Sequence, residues 1–233
     1  MKVLILAGGK GERLRPLTEG IPKPMVTMVG VPIIEIIIDR LVKQGFKDVI
    51  VTLGYLGDVI KNYLGNGQRL GANITYFTEN VPLGTAGAVK NAAKELSDDF
   101  LVVSGDAYFE MDFSDFVKKH IESNDLATLA VKKVDDATGY GLVELSGDKI
   151  VRFIEKPTEK TSGIVNTGIY ALKKEIIEAI PDGFYDFGKD LFPRLIGEMG
   201  AYSLDGYWSD IGTLKSYYQT NLMLVESGNY KVF

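Results

Sequence analysis

The sequence predicts an α/β protein with a doubly wound, mostly parallel sheet flanked by helices, and three observations support this prediction. Strand-like and helix-like segments alternate through the first half of the chain. Residues 3–7 and 100–104 are short apolar runs, as expected of strands buried on both faces. No internal repeat, low-complexity tract or linker divides the 233 residues, so we expect one domain over 1–233.

The elements of the first half follow from periodicity and turn residues. Strands are predicted at 3–7, 48–53, 73–78 and 100–104, with helices at 32–44, 56–64 and 84–96 between them. The first helix has Pro32 in its first turn and an apolar face formed by Ile34, Ile37, Ile38 and Leu41. This order predicts parallel neighbouring strands whose carboxyl ends share one edge of the sheet.

The second half is less regular. Helices are predicted at 113–123, 173–180, 187–199 and 213–226, and strands at 126–133, 141–145, 150–155 and 164–172. A Ser-Gly-Asp turn at 146–148 joins two of these strands into a hairpin. The last helix is expected to bury one face, which comprises Leu214, Tyr217, Tyr218, Leu222 and Val225.

The distribution of charge excludes one class of partner. The chain has 26 Lys and Arg residues against 31 Asp and Glu residues, a net charge of −5, which argues against a dedicated nucleic-acid-binding protein. Residues 1–24 differ, because five basic residues outnumber two acidic ones there (Lys2, Lys10, Arg13, Arg15 and Lys23 against Glu12 and Glu19). A basic patch confined to one short segment fits a small anionic ligand.

Residue counts exclude several chemistries. The chain has no cysteine and one histidine, His120, so disulfides, thiolate zinc sites, cysteine nucleophiles and multi-histidine metal sites are ruled out. His120 lies late in a polar helix beside Lys118 and Lys119, and we expect it on the surface. No segment resembles a signal peptide or a membrane span of roughly 18 apolar residues. We therefore expect a cytoplasmic protein without membrane partners, and homo-oligomer formation stays open.

The strongest functional signal is the segment LAGGKGERLRPLTEGIPKP, residues 6–24. It begins at the end of the first predicted strand and contains Leu6, Ala7, Gly8, Gly9, Gly11, Arg13, Arg15 and Lys23. Glycines let the backbone bend and approach a ligand closely, and the exposed N–H groups of such a loop can bind an anion. The nearby cations add the charge-assisted hydrogen bonds that a triphosphate demands.

Two better-known phosphate loops are excluded. Gly188-Lys189 is followed by Asp190, where a nucleoside-triphosphate P-loop requires serine or threonine. A dinucleotide-binding fingerprint would need a glycine at position 14, which is Leu14, and the second predicted strand ends without an acid for a ribose.

Together with later motifs, this segment resembles the signature of the sugar-1-phosphate nucleotidyltransferases, the nucleotide-sugar pyrophosphorylases. The later motifs keep the order of that family: Pro82-Leu83-Gly84-Thr85-Ala86-Gly87-Ala88, Ser104-Gly105-Asp106, Gly139-Tyr140-Gly141, Glu155-Lys156-Pro157, Asn166-Thr167-Gly168 and Trp208-Ser209-Asp210-Ile211-Gly212-Thr213. The stretch 82–88 is most similar to mannose-1-phosphate guanylyltransferases. The resemblance implies a Rossmann-like mixed, mostly parallel sheet flanked by helices.

The resemblance also implies a role for each motif. It assigns nucleotide binding to Leu6, Ala7, Gly8, Gly9, Gly11, Arg13, Lys23, Glu79, Gly84, Thr85 and Asp106, and sugar-phosphate binding to Gly141, Glu155, Lys156 and Asn166. Arg13, Lys23 and Lys156 are the predicted catalytic residues, which position phosphates and neutralise their charge. Alternatively, Thr85 is only a helix N-cap and Asn166 only a turn residue.

Asp106 and Asp210 are the predicted metal ligands, since two carboxylates with phosphate oxygens suit Mg²⁺. The implied reaction transfers a nucleoside monophosphate from a nucleoside triphosphate to a sugar 1-phosphate and releases pyrophosphate. GTP with mannose 1-phosphate or a related sugar is favoured over thymidylyl or uridylyl transfer to glucose 1-phosphate, and cytidylyl transfer to an alcohol phosphate comes third. A non-catalytic protein that binds nucleotide sugars and regulates a partner is the alternative from another class.

Two features depart from the family pattern. Glu12 stands where the family often has a small hydroxyl residue. Many members also carry a C-terminal left-handed β-helix, which is not expected in a chain ending at Phe233. We therefore expect neither acyltransferase activity nor trimerisation through such a domain.

Overall fold

The computed structural model describes residues 1–228, so the last five residues of the predicted domain lie outside the described part of the chain. The strands are β1 Lys2–Ala7, β2 Thr27–Met28, β3 Val31–Pro32, β4 Asp48–Leu53, β5 Asn73–Thr78, β6 Asp99–Ser104, β7 Tyr108–Phe109, β8 Ala127–Val134, β9 Gly141–Ser146, β10 Lys149–Glu155, β11 Gly163–Lys173, β12 Met199–Ser203 and β13 Trp208–Ser209. The α-helices are α1 Ile33–Lys43, α2 Gly57–Leu64, α3 Gly84–Asn91, α4 Phe113–Ser123 and α5 Leu214–Ser227.

Within residues 1–228, nine strands form one mixed sheet in the order β5-β4-β1-β6-β11-β8-β12-β10-β9. The first four of these are parallel neighbours, as the strand–helix alternation predicts. β11 pairs antiparallel with β6, β8 and β9, and β10 pairs antiparallel with β9 and β12. The α/β fold class is confirmed, and parallel pairing is concentrated in the half that the regular part of the sequence encodes.

Successive apolar side chains of the central strands point to opposite faces of the sheet, so a hydrophobic core lies on each face. In β1, Val3 and Ile5 face one cluster and Leu4 faces the other. α1, α2, α4 and α5 pack on the first face, and α3 packs on the second. The predicted isoleucine face of α1 is confirmed. None of the helices in residues 1–228 is long and apolar enough to cross a bilayer.

The prediction of a helix at 187–199 was wrong. The chain makes a π-helical turn at Phe187–Leu191 and a 3₁₀ turn at Phe192–Arg194, and then enters strand β12. Pro193 lacks the N–H that a continuing helix would need, and Gly197 has a φ of +96°. The predicted helix at 173–180 is a 3₁₀ segment, Lys174–Ala179, and the one at 84–96 ends at Asn91.

The expectation that His120 lies on the surface was also wrong. Its side chain lies on the inner face of α4 and is fully buried, with Nδ1 2.8 Å from Thr128 Oγ1 and Nε2 3.6 Å from Asp99 Oδ1. Burial lowers the pKa of His120. Phe113, Phe116 and His120 share the buried face of α4. Their helical spacing indicates that His120 is buried, whereas the neighbouring lysines suggested a polar surface.

The apolar face predicted for the last helix was wrong as well. Thr220 and Leu224 are the buried residues of α5, while four members of the predicted face, Leu214, Tyr218, Leu222 and Val225, are exposed. Tyr217 is half-buried, and its hydroxyl donates to the carbonyl of Thr27 at 3.1 Å. Polar contacts of this kind, which apolar periodicity does not register, help to fix the rotation of the helix.

Candidate active site

The candidate site begins where β1 and β6 end side by side. Leu6 lies opposite Ser104 in this parallel pair, so the loop after Ala7 and the turn at Gly105 emerge from the same edge of the sheet. The N–H of Gly105 donates to the carbonyl of Leu6 at 2.9 Å, and a Cβ at this glycine would lie 2.7 Å from that oxygen. This close approach requires glycine, and it places Asp106 beside the glycine loop.

Gly11 packs the glycine loop against the following basic segment. It has a φ of +65°, and a Cβ there would lie 2.8 Å from Lys23 Cβ and 3.1 Å from Thr18 Cγ2. The hydroxyl of Thr18 donates to the carbonyl of Gly11 at 2.9 Å. Gly9, by contrast, is exposed and has open space around it. The loop is therefore anchored at one end and open to a ligand at Gly9.

Lys23 joins three distant parts of the chain. Its side chain is only 10% exposed, and it lies on a 3₁₀ turn between Pro22 and Pro24. The ammonium donates to Asp106 Oδ2 at 2.9 Å and to the main-chain carbonyl of Asp210 at 2.8 Å. This buried cation therefore joins the carboxylate of Asp106 to the main chain of Asp210.

The carboxylate of Asp210 faces cations and donors from three other positions. Its Oδ1 accepts from the N–H of Gly212 at 3.1 Å, and its Oδ2 lies 3.9 Å from the Arg13 guanidinium. Gly212 leaves room for this arrangement, because a Cβ there would overlap the carboxylate. Burial and the nearby Asp210 carboxylate raise the pKa of Tyr140 to about 12.

A cavity of about 480 Å³ opens between the glycine loop and these acids. It is lined by Lys10, Gly11, Glu12, Arg13, Leu14, Lys23, Asp106 and Gly212. The lining combines three cations and loop backbone with two carboxylates, Glu12 and Asp106, and the second of these accepts from Lys23. The excess of cations and the loop N–H groups suit a polyanion. The side chain of Arg13 is 69% exposed, so it is free to turn toward a ligand.

The predicted nucleobase residues lie along the other side of the glycine loop. Glu79 Oε1 would lie 3.5 Å from a Cβ at Gly8, and Glu79 Oε2 accepts from the N–H of Leu83 at 3.1 Å. Burial raises the pKa of Glu79. Gly84 begins α3 with a φ of +71°. Thr85 does not cap this helix, so the alternative interpretation as an N-cap was wrong; its hydroxyl donates to Asp186 Oδ1 at 2.9 Å.

Three of the four predicted sugar-phosphate residues lie together. The ammonium of Lys156 is 3.3 Å from Glu155 Oε1, and a Cβ at Gly141 would lie 3.3 Å from Glu155 Oε2. Lys156 has a φ of +49°, a left-handed conformation that is costly for a residue with a side chain. Its N–H donates to the carbonyl of Tyr140 at 3.0 Å, which ties this turn to the residue beside Asp210.

Asn166 uses both ends of its amide within the chain. Its Nδ2 donates to the hydroxyl of Tyr170 at 2.9 Å, and its Oδ1 accepts from the N–H of Gly168 at 2.9 Å. These bonds fit the turn interpretation of Asn166. Burial raises the pKa of Tyr170, and the charge of the Glu155 carboxylate acts in the same direction.

Three residues beside the site were not among the predicted ones. Tyr140 lies inside the Gly139-Tyr140-Gly141 motif, so its glycine neighbours were the sequence signal for it. Ser104 donates to Asp106 Oδ1 at 3.1 Å and could have been inferred from its place at a strand end. Asp186 contacts Thr85 from a position just before the helix predicted at 187–199, and no sequence signal distinguishes it.

The fold is that of an α/β protein in which a glycine loop follows β1, Asp106 follows β6 and Asp210 follows β13. Lys23 hydrogen-bonds both aspartates beside the cavity. The chain belongs to the nucleotidyl transferase family, whose model matches residues 2–227. This match agrees with the resemblance carried by the sequence motifs.

Known proteins similar to the chain include a uridylyltransferase and a probable guanylyltransferase. It is 38% identical to a UTP–glucose-1-phosphate uridylyltransferase of Synechocystis sp., over 94% of the chain and 62% of that protein. It is 36% identical to a probable mannose-1-phosphate guanylyltransferase 1 of Oryza sativa, over 93% of the chain and 63% of that protein. The chain thus spans less than two thirds of the length of either relative.

A solved structure matches the fold over nearly its whole length. HddC from Yersinia pseudotuberculosis, complexed with GMP-PN, superposes with a TM-score of 0.84 at 33% sequence identity. The match covers 96% of this chain and 99% of that one. The described architecture is therefore similar to that of a protein solved in complex with GMP-PN.

Proposed function

We propose that this chain transfers a nucleoside monophosphate from a nucleoside triphosphate to a sugar 1-phosphate, forming a nucleoside diphosphate sugar and pyrophosphate. The proposal rests on the hydrogen bonds by which Lys23 joins the Asp106 carboxylate and the Asp210 main-chain carbonyl, beside the cavity that the glycine loop lines. Membership of the nucleotidyl transferase family supports it.

In the proposed reaction, an oxygen of the sugar 1-phosphate attacks the α-phosphorus of the triphosphate. A new P–O bond forms, the bond from the α-phosphorus to the bridging oxygen breaks, and pyrophosphate leaves with that electron pair. Such a displacement needs positioning and charge neutralisation more than a covalent intermediate. The absence of cysteine in the sequence is therefore no obstacle.

The triphosphate would lie in the cavity beside the glycine loop. The backbone of Gly9 and Gly11 would face its phosphates, and Arg13 would hold the β- and γ-phosphates with its planar fork of donors. Lys23 would offer a fixed positive charge near the α-phosphate, because its turn and its two partners restrict it. If the Lys23 ammonium exchanges Asp106 for a phosphate oxygen, it stays paired with an anion.

The acceptor would lie on the side of Glu155 and Lys156. Lys156 would bind the phosphate of the sugar 1-phosphate, since its side chain is 58% exposed and is held near the site by the left-handed turn. Glu155 would accept hydrogen bonds from sugar hydroxyls, with Gly141 leaving the space beside it open. Asn166 would contribute to the sugar site through its hydrogen bond to Tyr170, or by accepting a further hydrogen bond at Oδ1.

The two aspartates also fit a divalent cation. Hard cations such as Mg²⁺ prefer carboxylate and phosphate oxygens and keep several waters, so two protein carboxylates suffice for such a site. Among residues 1–228, no group of three or more Asp, Glu or His side chains is placed to hold a metal ion, so phosphate oxygens and waters would have to supply the remaining ligands. Asp106 and Asp210 would hold it, and it would add positive charge against the phosphate oxygens.

Guanylyl transfer to mannose 1-phosphate or a related sugar is the favoured specificity. The stretch Pro82–Ala88, the Oryza sativa relative and the GMP-PN complex of HddC support it. Uridylyl or thymidylyl transfer to glucose 1-phosphate is the second candidate, which the Synechocystis relative supports. We expect the reaction in the cytoplasm, where nucleoside triphosphates are available.

A substrate panel tests the proposal. Each of GTP, UTP, dTTP, CTP and ATP is combined with mannose 1-phosphate, glucose 1-phosphate, galactose 1-phosphate and choline phosphate, with Mg²⁺, and pyrophosphate release is measured. We expect release from GTP with a manno-configured sugar 1-phosphate. Release only from UTP or dTTP with glucose 1-phosphate would replace that specificity. Nucleotide-sugar binding without pyrophosphate from any pair would identify a non-catalytic binder.

A further inference from the structure

Residues 185–191, which we call the bridging segment, touch both halves of the candidate site. The segment includes the π-helical turn that the sequence did not predict. On one side it contacts the nucleobase stretch at the start of α3, and on the other it contacts the predicted sugar acid Glu155. The roles assigned to this chain so far leave the segment unexplained.

Its contacts with the nucleobase stretch are dense. The N–H groups of Ala86 and Gly87 donate to the carbonyl of Tyr185 at 2.9 and 3.0 Å. The hydroxyl of Thr85 donates to Asp186 Oδ1 at 2.9 Å and accepts from the N–H of Phe187 at 2.9 Å. The side chain of Thr85 is thereby engaged with the bridging segment by one donated and one accepted hydrogen bond.

The segment is also held together internally. The N–H of Asp186 donates to Asp190 Oδ2 at 2.8 Å, and the N–H groups of Asp190 and Leu191 donate to the carbonyl of Asp186 at 3.0 and 3.1 Å. The ring of Phe187 stacks on Phe192 with centroids 5.2 Å apart. A displacement at Asp186 would therefore move the whole turn.

The other end of the segment lies directly against Glu155. A Cβ at Gly188 would overlap Glu155 Oε2, and it would approach Oε1 to 3.4 Å. The carboxylate thus rests on bare backbone, and Gly141 borders it from another direction. Any side chain at position 188 would push the Glu155 carboxylate out of its place.

We propose that Asp186 and Gly188 are positioning residues that set the place of Glu155 relative to the nucleobase stretch, so that the bridging segment links the two substrate subsites. This inference rests on the proposed function of Glu155 in binding the sugar. Asp186 fixes the segment through Thr85, and Gly188 transmits that position to the carboxylate. Loss of either leaves the main-chain bonds from Ala86 and Gly87 to Tyr185 in place, so the nucleobase side is retained.

Steady-state kinetics of the full chain with its best substrate pair test the role of Asp186. Asp186→Ala removes the acceptor for the Thr85 hydroxyl and is expected to raise the KM for the sugar 1-phosphate about tenfold, with the KM for the triphosphate within about twofold of wild type. Asp186→Asn retains an acceptor oxygen and should restore most of the affinity. Asp182→Ala, an exposed acid shortly before the segment, is the control for loss of charge and should behave as wild type.

Gly188→Ala tests the other end of the segment. It should produce the same change in the two KM values, and the double variant should lose less than the product of the single effects, because both act through one carboxylate. A rise in the triphosphate KM alone, unchanged KM values in both variants, or an Asp186→Asn variant as impaired as Asp186→Ala would overturn the inference.

The failure of this inference is distinguishable from that of the proposed function. Wild type without turnover on any pair would defeat the proposed function. The positioning role would then be measured by calorimetric titration of sugar 1-phosphates, which needs no turnover. Weaker binding in Gly188→Ala and Asp186→Ala but not in Asp182→Ala would support it, and equal affinity in all four proteins, or no binding to wild type, would overturn it.

Discussion

The ammonium of Lys23 lies 2.9 Å from the Oδ2 of Asp106, although 83 positions separate the two residues in the chain. The same ammonium binds the main-chain carbonyl of Asp210. Because Lys23 is nearly buried, its charge requires these partners, and their geometry is fixed by the folded chain. The predicted phosphate loop and both predicted metal ligands are joined through this one cation.

Replacing either aspartate by asparagine should abolish most turnover. Asp106→Asn and Asp210→Asn keep the side-chain shape but remove the charge that would hold a divalent ion, so we expect a loss of at least about a hundredfold in kcat, or ~3 kcal/mol. Pyrophosphate release measures it, and circular dichroism verifies the fold. Asp58→Asn, an exposed acid in α2, is the matched control. Near-normal turnover in both site variants would remove the metal assignment.

Lys156→Ala should separate the two substrates. Without its ammonium, the acceptor phosphate loses a charge-assisted hydrogen bond worth roughly 1.5–3 kcal/mol, or about a tenfold to hundredfold rise in KM for the sugar 1-phosphate. The triphosphate KM should change much less. Lys94→Ala, at an exposed lysine away from the site, should match wild type. The opposite pattern of KM values would contradict the role given to Lys156.

Gly11→Ala should impair catalysis through Lys23. The added methyl would lie 2.8 Å from Lys23 Cβ on a backbone with a φ of +65°, so the lysine must shift and its contact with Asp106 is lost. Gly20→Ala provides the control, because its φ is +82° but no atom lies near its Cβ position. We expect similar backbone strain of about 1 kcal/mol in both variants, and a drop in kcat of at least tenfold only in Gly11→Ala. Equal kcat values would separate Lys23 from the reaction.

His120 should make folding stability depend on pH. Burial lowers its pKa in the folded protein, so below about pH 6.5 the unfolded chain binds a proton that the folded chain does not. The free energy of unfolding should then fall as pH drops from 6.5 toward the folded pKa, by up to about 1.4 kcal/mol per pH unit. Urea unfolding at several pH values measures this slope. His120→Gln should flatten it, and an identical slope in that variant would assign the dependence to other groups.

The sequence predicted the parts of the fold that local patterns encode. The apolar runs of β1 and β6, the isoleucine face of α1 and the hairpin of β9 and β10 all occur as predicted. β12 and the π-helical turn before it were missed, because Gly188, Pro193 and Gly197 interrupt the regular apolar spacing of that segment. The exposed face of α5 depends on long-range polar contacts that apolar periodicity does not encode.

For the site, the sequence identified residue types and order but not their partners. It predicted that the carboxylates of Asp106 and Asp210 share one ion, which stays a prediction. The structure brings the Asp106 carboxylate and the Asp210 main-chain carbonyl to Lys23. It did not indicate that the Thr85 hydroxyl points to Asp186, or that Glu155 rests against Gly188. Both contacts join segments distant in sequence, one of them irregular, and no local propensity records such a pairing. The roles of the site residues stay predictions for the experiments above.

The most direct test of the central claim is ³¹P nuclear magnetic resonance of wild type incubated with a triphosphate, a sugar 1-phosphate and Mg²⁺. Attack at the α-phosphorus predicts equal amounts of pyrophosphate and a new diphosphate diester, and neither product when the sugar phosphate or the metal is omitted. Inorganic phosphate as the sole product, or unchanged spectra for every pair tried with the folded protein, would contradict nucleotidyl transfer at this site.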